Sequence, residues 1–322
     1  MRGQQVLAVV AVFCAATSPA LAQNYPDKPI KIIIPAGPGG PTDVPARLVS
    51  QILTPKFGQP VVVENRPGAG GGLGARAVAG APPDGYTLLA GNTSVLAVLP
   101  SVSASAGYDP AKNLAPIAKI SESYQILVVS PSRPWKTVKE LVDHAKANPG
   151  ALNYAHTGAG GLPHLTGELF IARSGAKLTG VPYRSGGEAV TAVLSEAVDL
   201  TFESITILLP LIRDGKVRAL AITSAKRTPL APDLPTMMEA GVPDYEVTTF
   251  NGIAAPAGTP KVIVDVLNGA INEGMKTQEM QDTIKRLGAV SLLGTPAEFA
   301  SFIAAQNEKW RSVARTANIK VD

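Results

Sequence analysis

Cysteine is almost missing from this chain: one residue in 322, Cys14, and it falls within the first 22. Histidine is nearly as scarce, with only His144, His156 and His164. Beyond residue 22 there is therefore no disulfide, no cysteine metal site and no thiolate nucleophile. Three scattered histidines without HExxH spacing fall short of the ligand set that zinc needs. Charged residues make up 17% with a net charge of +4, and no run of Lys or Arg gathers it into a basic stripe. Nucleic acid is not an expected partner. No G-x-S-x-G elbow occurs, since Ser185 in Tyr183-Arg184-Ser185-Gly186 lacks the first glycine. Gly215-Lys216 lacks the upstream glycine and following Ser or Thr of a P-loop. Gly70-x-Gly72-x-x-Ala75 comes nearest to a dinucleotide fingerprint, but a long Asn65–Ala69 loop precedes it and no well-placed ribose carboxylate follows. No catalytic residue, no metal and no cofactor is expected.

Residues 1–22 read as an export signal. Arg2 gives a positive start, Val6 to Ala16 an apolar stretch, and Ser18-Pro19 then Ala20-Leu21-Ala22 a cleavage site, so the mature chain would begin at Gln23. Phe13 before Cys14 is too bulky for a lipoprotein box. No later apolar run approaches the ~18 residues of a membrane span. A periplasmic location is expected.

Hydrophobic residues reach 45%, while 31 Gly and 28 Pro mark many tight turns. Short apolar runs alternate with helical patterns. Ile30–Ile34, Val61–Glu64, Tyr86–Ala90, Gln125–Val129, Leu152–Ala155, Leu178–Pro182, Val198–Glu203 and Val217–Ile222 read as strands. Val44–Phe57, Thr137–Ala147, Pro163–Arg173, a segment from Gly187 and one near Ile207–Arg213 read as helices. The alternation predicts an α/β fold with parallel sheets. The tail from Pro260 is mostly helical, with Thr295-Pro296-Ala297-Glu298 as a capping-box start. Extended segments Gln125–Val129 and Glu246–Phe250 bracket a middle block, predicting one lobe from 23–124 plus 250–322 and another from 125–249, joined by a hinge.

Two glycine loops carry the functional reading. Ala36, Gly37, Pro38, Gly39, Gly40, Thr42 and Asp43 join a strand to a helix, as do Thr157, Gly158, Ala159, Gly160 and Gly161. Glycine lets a ligand approach backbone N–H groups, and the helix that follows adds free donors and a positive dipole end. A dipole alone gives about 0.3–1 kcal/mol, while micromolar binding needs about 8. Four or five charge-assisted hydrogen bonds at roughly 1.5–3 kcal/mol each would suffice, so both loops must act together. The prediction is a clamshell for a small anion. Asn92 and Thr93 are further candidate contacts. Arg184 and Glu203 sit near predicted strand ends, as ligand contacts or as parts of an ion pair. His164 and His156 flank the second loop and either touch ligand, orient the loop or simply pack.

The chain resembles the Bug/TctC family, the extracytoplasmic solute receptors of tripartite tricarboxylate transporters. The matching segments include Tyr25-Pro26-Asp27-Lys28-Pro29-Ile30, the first glycine loop, Val61-Val62-Val63-Glu64-Asn65-Arg66-Pro67-Gly68-Ala69-Gly70-Gly71 and Pro83-Asp84-Gly85-Tyr86-Thr87-Leu88-Leu89. They continue through Tyr108-Asp109-Pro110, His164-Leu165-Thr166-Gly167-Glu168, Gly215-Lys216-Val217-Arg218 and Ala255-Pro256-Ala257-Gly258-Thr259-Pro260. The resemblance implies a two-lobed type II periplasmic-binding-protein fold with an interlobe cleft, a carboxylate ligand and membrane transporter subunits as partners, the receptor itself being a monomer. It implies that the Ala36–Asp43 loop grips one carboxylate, partly through water, with Thr157–Gly161 and His164 facing it. Two positions depart from the pattern: Glu203 stands where relatives often carry Asp, and Ala159 or Gly160 where they often carry Ser. An exported hydrolase and a ligand-binding module for a membrane sensor are the alternative functions.

Overall fold

A computed structural model describes residues 25–39, 41–157 and 161–319; the expected signal segment, with Cys14, lies outside them. The first half of the chain runs β1 (Ile30–Ile34), α1 (Asp43–Phe57), β2 (Val61–Asn65), α2 (Gly72–Ala79), β3 (Thr87–Asn92), α3 (Leu99–Val102), α4 (Pro110–Asn113) and β4 (Leu114–Val129). Then come α5 (Val138–Ala147), β5 (Leu152–His156), α6 (Leu162–Ser174), β6 (Leu178–Pro182), α7 (Gly186–Leu194), β7 (Leu200–Ser204), α8 (Ile205–Arg213) and β8 (Arg218–Ile222). The chain closes with β9 (Thr248–Pro256), α9 (Lys261–Met275), α10 (Gln278–Arg286), β10 (Ala289–Val290) and α11 (Pro296–Thr316). Among the described residues no helix is long and apolar enough to cross a membrane.

The strands follow the order β2-β1-β3-β9-β4-β7-β5-β6, with β8 and β10 also on β4. β1 is parallel to β2 and β3, and β5 to β6 and β7, as the alternating pattern predicts. β9 runs antiparallel to both β3 and β4, so the sheet is mixed and not purely parallel. Its Ile-rich first strand is buried at four of five positions, the mark of a strand covered on both faces. Helices α1 and α9 cover one side with Val49, Leu53, Leu267 and Ile271. A second core joins Tyr154, Phe170, Phe202 and Tyr245 to Phe250 and to Trp310 of α11. Each such fully buried side chain contributes about 1.5–3 kcal/mol.

β4 decides where the site lies. Its residues Leu114 to Tyr124 pair with β9, and from Gln125 onward it pairs with β7 and β8. Since β1, β2 and β3 run in the same direction as β4, their carboxyl ends point along it toward the second group of strands. β7 runs against β4 with Ser204 opposite Gln125, so the carboxyl ends of β5, β6 and β7 point back toward the first. Open α/β sheets hold ligands beyond strand carboxyl ends. Here two such rims face each other across one crossing strand.

Candidate functional site

On the first rim the loop after β1 is built around a buried carboxylate. Asp43, 2% exposed, opens α1. Its Oδ2 accepts from Gly39 N–H at 2.9 Å and from Arg47 Nε at 2.8 Å. Its Oδ1 accepts from Arg47 Nη2 at 3.0 Å and Asn65 Nδ2 at 2.8 Å. The Arg47 guanidinium, then the Gly39 N–H and the Asn65 amide, hold the Asp43 pKa down to about 2 against the effect of burial. Every lone-pair direction of that carboxylate is taken, so Asp43 shapes the loop from within. Gly39 adopts φ +76° and spends its N–H on Asp43, whereas Gly37 has ordinary backbone and open space around it. Pro38 and Pro41 bring no donor. Asn65 also donates to Ala36 O at 2.9 Å, fastening the loop to the end of β2.

Asn92 and Thr93 brace this rim. Asn92 Nδ2 donates to Thr42 Oγ1 at 2.8 Å, and Asn92 Oδ1 accepts from Val95 N–H at 3.2 Å. Thr93 Oγ1, buried, accepts from Phe250 N–H at 2.7 Å, which ties the end of β3 to β9. The glycine string that imitates a nucleotide loop has a packing cause. A Cβ on Gly71 would sit 3.0 Å from Pro35 O and 2.6 Å from Val95 Cγ1. A Cβ on Gly74 would meet Pro35 Cα at 3.0 Å. These glycines let α2 press against the first loop.

On the second rim Thr157 follows β5, and Gly161 stands just before α6, whose early turn holds Pro163. Gly158, Ala159, Gly160 and, on the first rim, Gly40 lie outside the described residues. His164 stacks on His156 with ring centroids 4.4 Å apart, and its Nε2 is 3.8 Å from Glu168 Oε1. Tyr154 OH donates to that same Glu168 oxygen at 2.8 Å. Burial lowers the His164 pKa, with Glu168 opposing. His164 therefore lies in the first turns of α6, stacked on the last residue of β5. Arg184 is exposed at the end of β6, and its backbone N–H donates to Glu188 Oε2 at 3.1 Å. Glu203 is buried one residue before β7 ends, accepting from Ser204 N–H at 2.7 Å. The two are not joined as an ion pair.

Among the described residues no cluster of three or more His, Cys, Asp or Glu is placed to hold a metal. Sequence reasoning missed Asn65 and Arg47, which fasten the first loop. The signal was present in Val63-Glu64-Asn65-Arg66, where an amide is the last residue of the strand.

A family model described as "Tripartite tricarboxylate transporter family receptor" matches residues 45–319. The chain belongs to this family. Protein BugT of Bordetella pertussis is 36% identical, with all of both chains covered. Rpa4515 of R. palustris, solved with adipate, is 34% identical at a TM-score of 0.76, covering 92% of this chain and 99% of that one. MatC of Rhodopseudomonas palustris, solved with malate, is 32% identical at a TM-score of 0.73, covering 90% and 99%. The receptor shares the two-lobed α/β fold of these family members.

Proposed function

We propose that this receptor is periplasmic, captures a small organic carboxylate between its lobes and delivers it, as a monomer, to the membrane subunits of a tripartite tricarboxylate transporter. One lobe comprises 23–124 plus 250–322 and the other 125–249, with the change of partner along β4 and the start of β9 as the hinge. The observation that carries the reading is the pair of opposed strand-end rims, each with a loop rich in backbone and poor in side chains at a helix N-terminus. Carboxylates on two related receptors of the same fold support the choice of ligand. In this reading Gly37, Gly40 and the start of α1 hold one carboxylate, and Thr157 to Gly161 meet it on closure. A thermal-shift screen of mono-, di- and tricarboxylates tests it, because a ligand that binds only the native state raises Tm. At least one acid should raise Tm saturably and remain unconverted. A flat panel, or turnover of esters or amides, would overturn the reading.

A further inference from the structure

Side chains along β4 and β9 alternate between two faces, and residues paired across the strands share one. Lys119 pairs with Gly252 and Glu122 with Phe250, and that face lies under α11. Phe302 meets the Phe250 ring edge-on with centroids 4.9 Å apart, and a Cβ on Gly252 would run into the Phe299 ring. The opposite face starts apolar, where Ala118 pairs with Ile253 in the core shared with Val49 and Leu53 of α1. It ends apolar too, where Leu127 pairs with Phe202 against Phe170 of α6. Between these ends it is polar: Ser121 pairs with Asn251, Ser123 with Thr249, and Gln125 follows on β4. The two helices that follow the glycine loops thus cover the two ends of one face, and the polar stripe fills the gap between them. Asn251 also pairs with Asn92, whose Nδ2 reaches Thr42 at the start of α1, so the stripe adjoins the first rim directly. Cover thins toward the crossing: Ile253 is fully buried, Asn251 is 8% exposed and Thr249 is half-buried.

Two amide oxygens on this stripe have no donor. Among the described residues, neither Asn251 Oδ1 nor Gln125 Oε1 receives a hydrogen bond, and Gln125 is only 5% exposed. Asn251 Nδ2 is spent on Ser121 Oγ at 3.3 Å, which leaves Oδ1 as the open function of that side chain. Buried polar atoms are nearly always paired, so two carbonyl oxygens left open on one face call for a donor from outside the fold. We infer that the stripe is the floor of the ligand cleft and that Asn251 is a specificity-determining residue, its Oδ1 accepting from a hydroxyl group of the bound acid. This rests on the receptor reading above and narrows its ligand class to hydroxy acids. A carbonyl oxygen cannot bind the carboxylate itself, which goes to the N–H groups of the loops. A desolvated ammonium group would need an anionic partner. The acidic residues of these strands, Glu122 and Glu203, pair with Phe250 and Ile126 and so point to the other face. A neutral hydroxyl is the donor that fits.

The test is calorimetric titration of acids that differ by one hydroxyl: L-malate against succinate, citrate against tricarballylate, and L-lactate against propionate. Wild type should bind at least one hydroxy acid about 5- to 150-fold more tightly than its partner, which leaves a buried oxygen unpaired. Asn251→Leu, or Asn251→Ala should the larger side chain not fit, removes the acceptor. Either variant should bring the ratio close to one by weakening the hydroxy acid and leaving its partner nearly unchanged. A residue that only braced the hinge would weaken both members of a pair alike, and that result, or a ratio that survives both variants, would overturn the inference. So would equal binding within every pair, with water serving the open oxygens, or binding confined to acids without a hydroxyl, such as adipate. L-Aspartate carries an ammonium group where L-malate has its hydroxyl, and tighter binding of L-aspartate would do the same. Each of these results leaves the receptor reading in place. No binding by any acid of these pairs or of the thermal-shift panel would overturn the reading and the inference together.

Discussion

At the scale of single residues, the first rim separates groups that build the loop from groups free to meet a ligand. Gly39 is held at φ +76° with its N–H on Asp43, while Gly37 stands in open space without that constraint. Gly37→Ala should therefore leave the ligand-free Tm nearly unchanged and weaken binding, because its methyl group occupies the approach to the loop. Gly39→Ala should lower Tm as well, since only glycine adopts that backbone without strain. Melting curves with and without the best acid distinguish them. Asp43→Asn removes a buried charged acceptor from four N–H donors and should cost about 1–3 kcal/mol. The pH dependence has a definite sign. The folded-state pKa lies near 2 against an ordinary 3.8, so the contribution of Asp43 is complete above the ordinary value. It is lost as pH falls toward 2. Denaturant melts of wild type and variant should converge at acid pH.

At the scale of elements, Thr157 stands between β5 and α6, on the loop expected to close over the ligand. Thr157→Val keeps the shape and removes one hydroxyl. The expected loss is about 1–3 kcal/mol, or roughly 5- to 150-fold in affinity, appearing mainly as faster release in stopped-flow fluorescence. An unchanged release rate would move the second-rim contact elsewhere, with Arg184 next in line. Elements were legible wherever local signals agreed. Ile30–Ile34 reads as β1 to the residue, because five apolar residues bounded by turns fit a doubly covered strand. The capping box that opens α11 is present, with Glu298 N–H on Thr295 Oγ1 at 3.2 Å and Thr295 N–H on Glu298 Oε2 at 2.7 Å. The first eleven residues of β4 escaped detection. Pro116, Lys119, Ser121 and Glu122 interrupt the apolar pattern, yet Glu122 and Ser121 are buried because β9, and for Glu122 also β10, flank them. Most of β9 was missed for the same kind of reason: its pairing is with strands more than 120 residues away in sequence. Both glycine loops are visible in the sequence. The internal use of Asp43 is not, since it depends on Asn65 arriving from another strand.

At the scale of the whole molecule, one long strand carries both halves, and the two rims oppose each other across it. A helix dipole on either rim is worth too little for tight binding, so the account requires donors from both sides at once. It also requires that the core joining the halves survive the motion: Trp310 of α11 packs in the same cluster as Tyr154, Phe202 and Phe250. Closure must then turn on the crossing strands and leave that cluster intact. Hydrogen–deuterium exchange with and without the best acid from the panel reads this most directly. The account predicts slowed exchange at both loops, 35–42 and 157–162, with little change over the outer faces of α5 and α9. Protection confined to one loop, or to neither, would contradict a ligand held between the lobes.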